Sequence, residues 1–131
     1  MECGRAKKTA MLKKILVVED NADTLELMTA LLQLEGYKVV TAKNGRDGFD
    51  IAIAENPHLI ITDINMPVLS GTDMIKMLRE YSEFKSTPII AVTAYGNDGA
   101  DRAKQAGANK VLTKPVEYDL FRDYVRSLLD Q

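Results

Sequence analysis

A chain of 131 residues has room for one hydrophobic core of ordinary size and not for two. Its 46% hydrophobic and 27% charged content is that of a soluble fold, and no apolar run reaches the roughly 20 residues that a membrane span needs. A net charge of −2 with scattered Lys and Arg disfavours direct nucleic-acid binding, a single cysteine (Cys3) excludes an internal disulfide, and a single histidine (His58) excludes a zinc site of clustered His and Cys.

Residues 1 to 12 show no periodicity and are expected to be a tail or a cloning remnant, with Met11 an alternative start and one domain running from 13 to 131. The basic opening leads only into "ILVV" before Glu19-Asp20. That is short of the ~7 to 15 apolar residues of an export signal, so a cytoplasmic location is expected. The same run, Ile15 to Val18, is the first predicted strand. Leu25, Met28, Leu31 and Leu32 then form a stripe at helical spacing. A second strand is predicted at Lys38 to Ala42, where partial alternation of polar and apolar residues suits a sheet edge. "LIIT" (Leu59 to Thr62) and "PIIAVT" (Pro88 to Thr93) are apolar at consecutive positions and read as strands covered on both faces. His58, at the start of the third strand, is expected to sit at its edge without catalytic work. The segment "NDGADRAKQAGA" has only alanines for an apolar face and carries Gly99 and Gly107, which predicts a short, weakly anchored helix. A fifth strand is predicted at Lys110 to Thr113, and a last helix is expected to bury Leu120, Tyr124, Val125 and Leu128. Strands alternating with helices predict an α/β fold with a parallel sheet.

Every predicted strand but the second ends in a residue that handles phosphate or metal. The first ends in Glu19-Asp20, the third in Asp63, the fourth in Thr93 and the fifth in Thr113-Lys114. Ligands of open α/β sheets bind beyond the carboxyl ends of the strands, where strand order reverses. In the order 2-1-3-4-5 that point lies between the first and third strands, so the acidic pair and Asp63 face each other. Two unit charges 4 Å apart repel by about 4 kcal/mol at an effective dielectric of ~20, so the cluster needs a cation or protonation. Without His or Cys, a hard divalent ion on oxygen ligands is the natural partner: Mg²⁺, or Mn²⁺ in its place. Any one of these acids alone reads first as a helix cap. Together with Thr93 and Lys114 they read as a site.

These parts permit phosphoryl transfer onto Asp63. A carboxylate can attack phosphorus, and the rest of the task is positioning and neutralisation of the phosphoryl oxygens. The ion on Asp20 and Asp63, the Lys114 ammonium, and the Thr93 hydroxyl with a loop N–H would each take one oxygen. The product, a mixed carboxylic-phosphoric anhydride, hydrolyses in water, which suits a switch.

"ILVVEDN", "LIITDINMPVLSG", "PIIAVTAY" and "VLTKPV", in this spacing, resemble the receiver domain of response regulators of two-component signalling, over residues 13 to 130. The resemblance implies a flavodoxin-like (βα)5 doubly wound fold of three α/β/α layers. It implies that Asp63 accepts a phosphoryl group from a sensor histidine kinase or a histidine phosphotransfer protein. Asp20 would bind Mg²⁺ directly, Glu19 through water and Asn65 through its backbone carbonyl. Thr93 would be the switch hydroxyl, Lys114 the phosphate-binding lysine, Pro115 would follow through a cis bond, and Pro67 and Gly71 would shape the loop after Asp63. The chain departs from the family pattern in having Glu-Asp for the commoner Asp-Asp and Val111 where many members carry Tyr or Phe. A valine cannot make the ring movement of that aromatic. Output would instead pass through the loop after Thr93 and the fourth helix, or through Tyr95 or Tyr118. Tyr95, two residues past Thr93, is expected to shield the acyl phosphate from water.

Such a switch would bind a downstream protein, catalyse only its own phosphorylation and dephosphorylation, and be a monomer or weak dimer without membrane contact. An alternative is a receiver-like module that docks without phosphorylation. A small phosphohydrolase would want a general acid where Asn65 stands, and a flavin site would want hydroxyls and glycines where "EDNADT" offers acids.

Overall fold

The computed structural model describes residues 13–94 and 97–129, so the expectations for residues 1–12 and for Tyr95 lie outside the described residues. The strands are β1 (Lys14–Val18), β2 (Lys38–Ala42), β3 (Leu59–Asp63), β4 (Ile89–Thr93) and β5 (Lys110–Thr113). The helices are α1 (Ala22–Leu34), α2 (Gly45–Glu55), α3 (Gly71–Arg79), α4 (Asn97–Ala106) and α5 (Tyr118–Leu129), with a 3₁₀ turn at Ser82–Phe84. All strand pairings are parallel, in the order β2-β1-β3-β4-β5. This is the predicted doubly wound sheet, with strand bounds within one residue of expectation.

Strand alternation divides the core in two. Ile15, Val17, Leu59 and Ile61 point to one face, where they meet Leu25, Met28 and Leu32 of α1 and Phe121, Val125 and Leu129 of α5. Leu16, Val18 and Ile60 point to the other and meet Ala52 of α2, Met74, Ile75 and Leu78 of α3, and Ala103 and Ala106 of α4. Each large aliphatic side chain taken from water this way is worth about 1.5–3 kcal/mol. Every residue of β3 and β4 is buried, as their unbroken apolar runs predict, whereas β2 lies at the edge and exposes Lys38 and Thr41. His58 is a structural edge residue: its Nδ1 accepts the Lys14 backbone N–H at 3.0 Å.

Two helices correct the sequence reading. In α5 the innermost ridge is Phe121, Val125 and Leu129, while Leu120 is 44% exposed. Tyr124 and Leu128 flank that ridge, partly buried. The reason is phase: residues 121, 125 and 129 step by four and stay on one side of the helix, and Leu120 begins the neighbouring ridge. The alanine face of α4 is seated against the core as expected, but the helix's far end is braced. Arg79, the last residue of α3, donates from Nε and Nη2 to the Gly107 carbonyl (3.1 and 2.7 Å), from Nη2 to Asn109 Oδ1 (2.9 Å), and from Nη1 to the carbonyls of Thr87 (2.7 Å) and Phe84. All five guanidinium N–H groups are thereby used on neutral oxygens, and burial lowers the pKa of Arg79 from its ordinary value.

Candidate functional site

Register brings the strand ends together. Val18 pairs with Thr62, so the next residues, Glu19 and Asp63, emerge side by side. Asp63 pairs with Val92 and Thr93 with Thr113, which steps Thr93 and Lys114 along the same rim. Backbone bonds carry the ladder past the strands: Glu19 N–H to Ala42 O (3.0 Å), Ile64 N–H to Val92 O (3.1 Å) and Lys114 N–H to Thr93 O (2.8 Å). Each functional side chain thus leaves a backbone that the sheet holds still.

Alternation then sorts the side chains by face. Glu19, Asp63 and Lys114 continue the rows of Val17, Ile61 and Leu112, on the α1 and α5 side, whereas Thr93 continues Ile89 and Ala91 on the side of α2, α3 and α4. The Thr93 hydroxyl therefore reaches the rim from the layer opposite the carboxylates. It is 1% exposed and, with the exposed Asn65, lines a cavity between α3 and α4.

Glu19, Asp20 and Asp63 each offer a carboxylate oxygen within 4.8 Å of the others. Glu19 is 2% exposed and Asp63 7%, while Asp20 is open to solvent. Lys114 Nζ donates to Glu19 Oε1 at 3.1 Å and to Asp63 Oδ2 at 3.2 Å, while Asp63 Oδ1 accepts the Ile64 N–H at 2.8 Å. Burial raises the Glu19 carboxyl above its ordinary value; the Asn21 N–H and Lys114 oppose this and Asp63's charge adds to it. Burial would lower Lys114, but Glu19 and Asp63 outweigh it and hold the ammonium above its ordinary value. One lysine therefore leaves the three acids undercompensated. An all-oxygen set with an open side at Asp20 fits a hard divalent cation.

Local sequence builds this rim. Asn21 caps α1 by accepting the Thr24 N–H at 2.9 Å, and its own N–H donates to Glu19 Oε2 at 3.0 Å. The sequence reading passed over that support, although an Asn directly after an acidic pair at a strand-to-helix junction is the signal for it. Gly71 starts α3 with its N–H on Ile64 O at 2.8 Å, and a Cβ there would fall 2.0 Å from the Asp63 carbonyl oxygen. The Lys114–Pro115 bond is cis. Val111 is half-buried against the α2–α4 side of the core. Tyr118 is directed away from the carboxylates: its hydroxyl donates to Glu35 Oε2 at 3.0 Å, and Arg126 Nη2 donates to Glu35 Oε1 at 2.6 Å.

Comparison with known proteins agrees with this geometry. The polar-differentiation response regulator DivK of Brucella anthropi is 33% identical over 120 residues, 91% of this chain and 98% of that protein. TrrA of Thermotoga maritima, solved in complex with Mg²⁺ and BeF, superposes with a TM-score of 0.81 at 35% identity, over 89% of this chain and 99% of that one. The receiver domain of the Pseudomonas aeruginosa sensor histidine kinase PA1611, solved with magnesium in its active-site cleft, gives 0.85 at 28% identity, over 91% and 98%. Residues 15–126 match the response regulator receiver domain model, and the chain belongs to that family of two-component signalling domains.

Proposed function

We propose that this domain is a phosphoacceptor switch in which Asp63 takes a phosphoryl group from the phosphohistidine of a sensor kinase or phosphotransfer protein. An Asp63 oxygen attacks phosphorus, the P–N bond breaks, and the imidazole leaves with the electron pair and takes up a proton. The observation that carries the reading is Lys114 lying 3.2 Å from Asp63 and 3.1 Å from Glu19 at the junction of β1, β3 and β5, where a fixed positive charge meets the entering phosphoryl oxygens. Glu19, Asp20, Asp63 and the Asn65 carbonyl would hold Mg²⁺, or Mn²⁺; when bound, the ion supplies charge that neutralises the carboxylates and the phosphoryl oxygens. Thr93, approaching from the other layer, donates its hydroxyl to the phosphoryl group and carries the change toward α4. Val111 has no ring to move, so the loop after Thr93 and the first turn of α4 are the output.

The donor's approach is supported by an apolar groove of about 570 Å³ beside Lys114, between α1 and the β5–α5 loop, lined by Leu27, Leu31, Pro115 and Val116. Leu27 is 60% exposed there, which suits a helix carrying the phosphohistidine.

Incubation with acetyl phosphate or phosphoramidate and Mg²⁺ should label Asp63, and Asp63→Asn should abolish labelling with the far-UV CD unchanged. The asparagine oxygen can still accept from the Ile64 N–H, and Lys114 keeps its bond to Glu19 Oε1, so the fold loses little. Labelling retained in that variant would refute the assignment.

A further inference from the structure

We propose that the cleft between α3 and α4 binds a small phosphate ester carrying hydroxyl groups, at a site distinct from the carboxylates of β1 and β3. The cavity holds about 540 Å³, within the ~300–1,000 Å³ of small-molecule sites. Its walls are Ser70, Thr72, Asp73 and Lys76 on one side and Arg102 and Gln105 on the other.

The cations carry the argument. Arg46 pairs with Asp50, Arg79 is spent on carbonyls, Arg122 pairs with Asp119 and Asp123, and Arg126 pairs with Glu35. Among the described residues Arg102 is the arginine with neither ion pair nor hydrogen bond, and Lys76 across the cleft is likewise unpaired. A planar guanidinium with a lysine opposite is suited to a phosphate group, which it meets through two parallel N–H donors. Asp73 on the α3 wall repels a second anion but accepts from hydroxyls, and the Ser70, Thr72 and Gln105 side chains add further donors and acceptors. Two cations for a phosphate, with hydroxyl, amide and carboxylate groups beside them for hydroxyls, select a phosphorylated polyol over a bare polyanion.

The floor ties this cleft to the switch. Thr93 and Gly99 form it, and a Cβ on Gly99 would lie 3.3 Å from Thr93 Oγ1 and 4.0 Å from Ile64 Cδ1. Glycine at this position leaves the Thr93 side of the cleft open to a ligand. A ligand seated there and a phosphoryl group on Asp63 would each alter the other's equilibrium constant by the same factor. That coupling rests on the phosphoacceptor reading, whereas binding itself does not.

The test is an amide NMR titration of the unphosphorylated domain in EDTA with ribose 5-phosphate, alongside inorganic phosphate and ribose. Ribose 5-phosphate should give saturable shifts at Thr72, Lys76, Arg102 and Gln105, with at least tenfold weaker binding for each of the other two compounds. Asp63→Asn should leave this affinity unchanged, and Lys76→Ala combined with Arg102→Ala should weaken it at least tenfold. Unchanged affinity in the double variant, shifts confined to the surroundings of Lys114, or equal binding of inorganic phosphate would each overturn the proposal. In the phosphorylated domain, saturating ribose 5-phosphate should change the rate of phosphate loss at least twofold. No change in that rate would overturn the coupling, and failure of Asp63 to label at all would count against the phosphoacceptor reading while leaving the titration to decide the cleft.

Discussion

Replacing Arg79 with methionine removes a single side chain on which four segments converge. The methionine keeps most of the aliphatic stem, so the loss is concentrated in the five hydrogen bonds to Phe84, Thr87, Gly107 and Asn109. Asn109 is exposed, so water replaces the guanidinium there at little cost. Phe84 is buried, and leaving its carbonyl unsatisfied costs about 1–3 kcal/mol, while the half-buried carbonyls of Thr87 and Gly107 add about 1 kcal/mol each, the low end of that range. The shed desolvation of the guanidinium returns part of this, for a net destabilisation of about 2–4 kcal/mol. At about 3–5 °C per kcal/mol for a domain of this size, the melting temperature should fall by roughly 6–20 °C. Arg79→Lys should recover less than half, because one ammonium cannot reach carbonyls on both sides of the α3 terminus. Urea denaturation measures the free energy, and amide exchange should show faster opening from α4 into β5 than in β1 and β3. A loss under about 0.5 kcal/mol, the size of an ordinary surface substitution, would refute the idea that this arginine holds α4 in place.

Other perturbations probe the site and its supports. Gly71→Ala drives a methyl group into the Asp63 carbonyl; it should cost about 2–4 kcal/mol and slow labelling of Asp63, and a variant as stable as the wild type would show that α3 starts elsewhere. Burial pushes Glu35 up, but hydrogen bonds from Arg126 and Tyr118 outweigh it and hold the carboxyl below its ordinary 4.5. Because the folded-state value is the lower one, this contribution is present above pH 4.5 and lost as pH falls through the folded value. Glu35→Gln should therefore cost about 0.5–1 kcal/mol at neutral pH, and the gap from wild type should close on acidification; a gap that widens would reverse the sign. Tyr95→Ala should speed loss of phosphate from the purified phosphorylated domain, and an unchanged rate would remove Tyr95 as a shield.

Much of this protein is legible along the chain because the signals are local. Runs such as "LIIT" and "IIAVT" need cover on both faces, and that demand alone implies a parallel sheet between helices. Polar residues at the ends of those runs mark the rim, so Glu19, Asp20, Asp63, Thr93 and Lys114 could be gathered from four separate places in the sequence. The orientation of α5 was less legible, since Leu120 and Phe121 are both apolar and only docking chooses between adjacent ridges.

Sequence by itself determined which residues are strands, which acids stand at their ends, and that their charges must be offset by a cation or a proton, since these follow from periodicity and charge over a few residues. Tertiary structure alone decided that Val18 pairs with Thr62 and so sets Glu19 beside Asp63, and that Thr93 enters from the opposite layer. It also decided that Arg79 reaches residues as many as 30 positions away, and that Arg102 finds no partner among the described residues, over a cleft floored by Gly99 and Thr93. Those outcomes depend on how helices settle against a finished sheet, and no local pattern encodes distances between segments that meet only after folding.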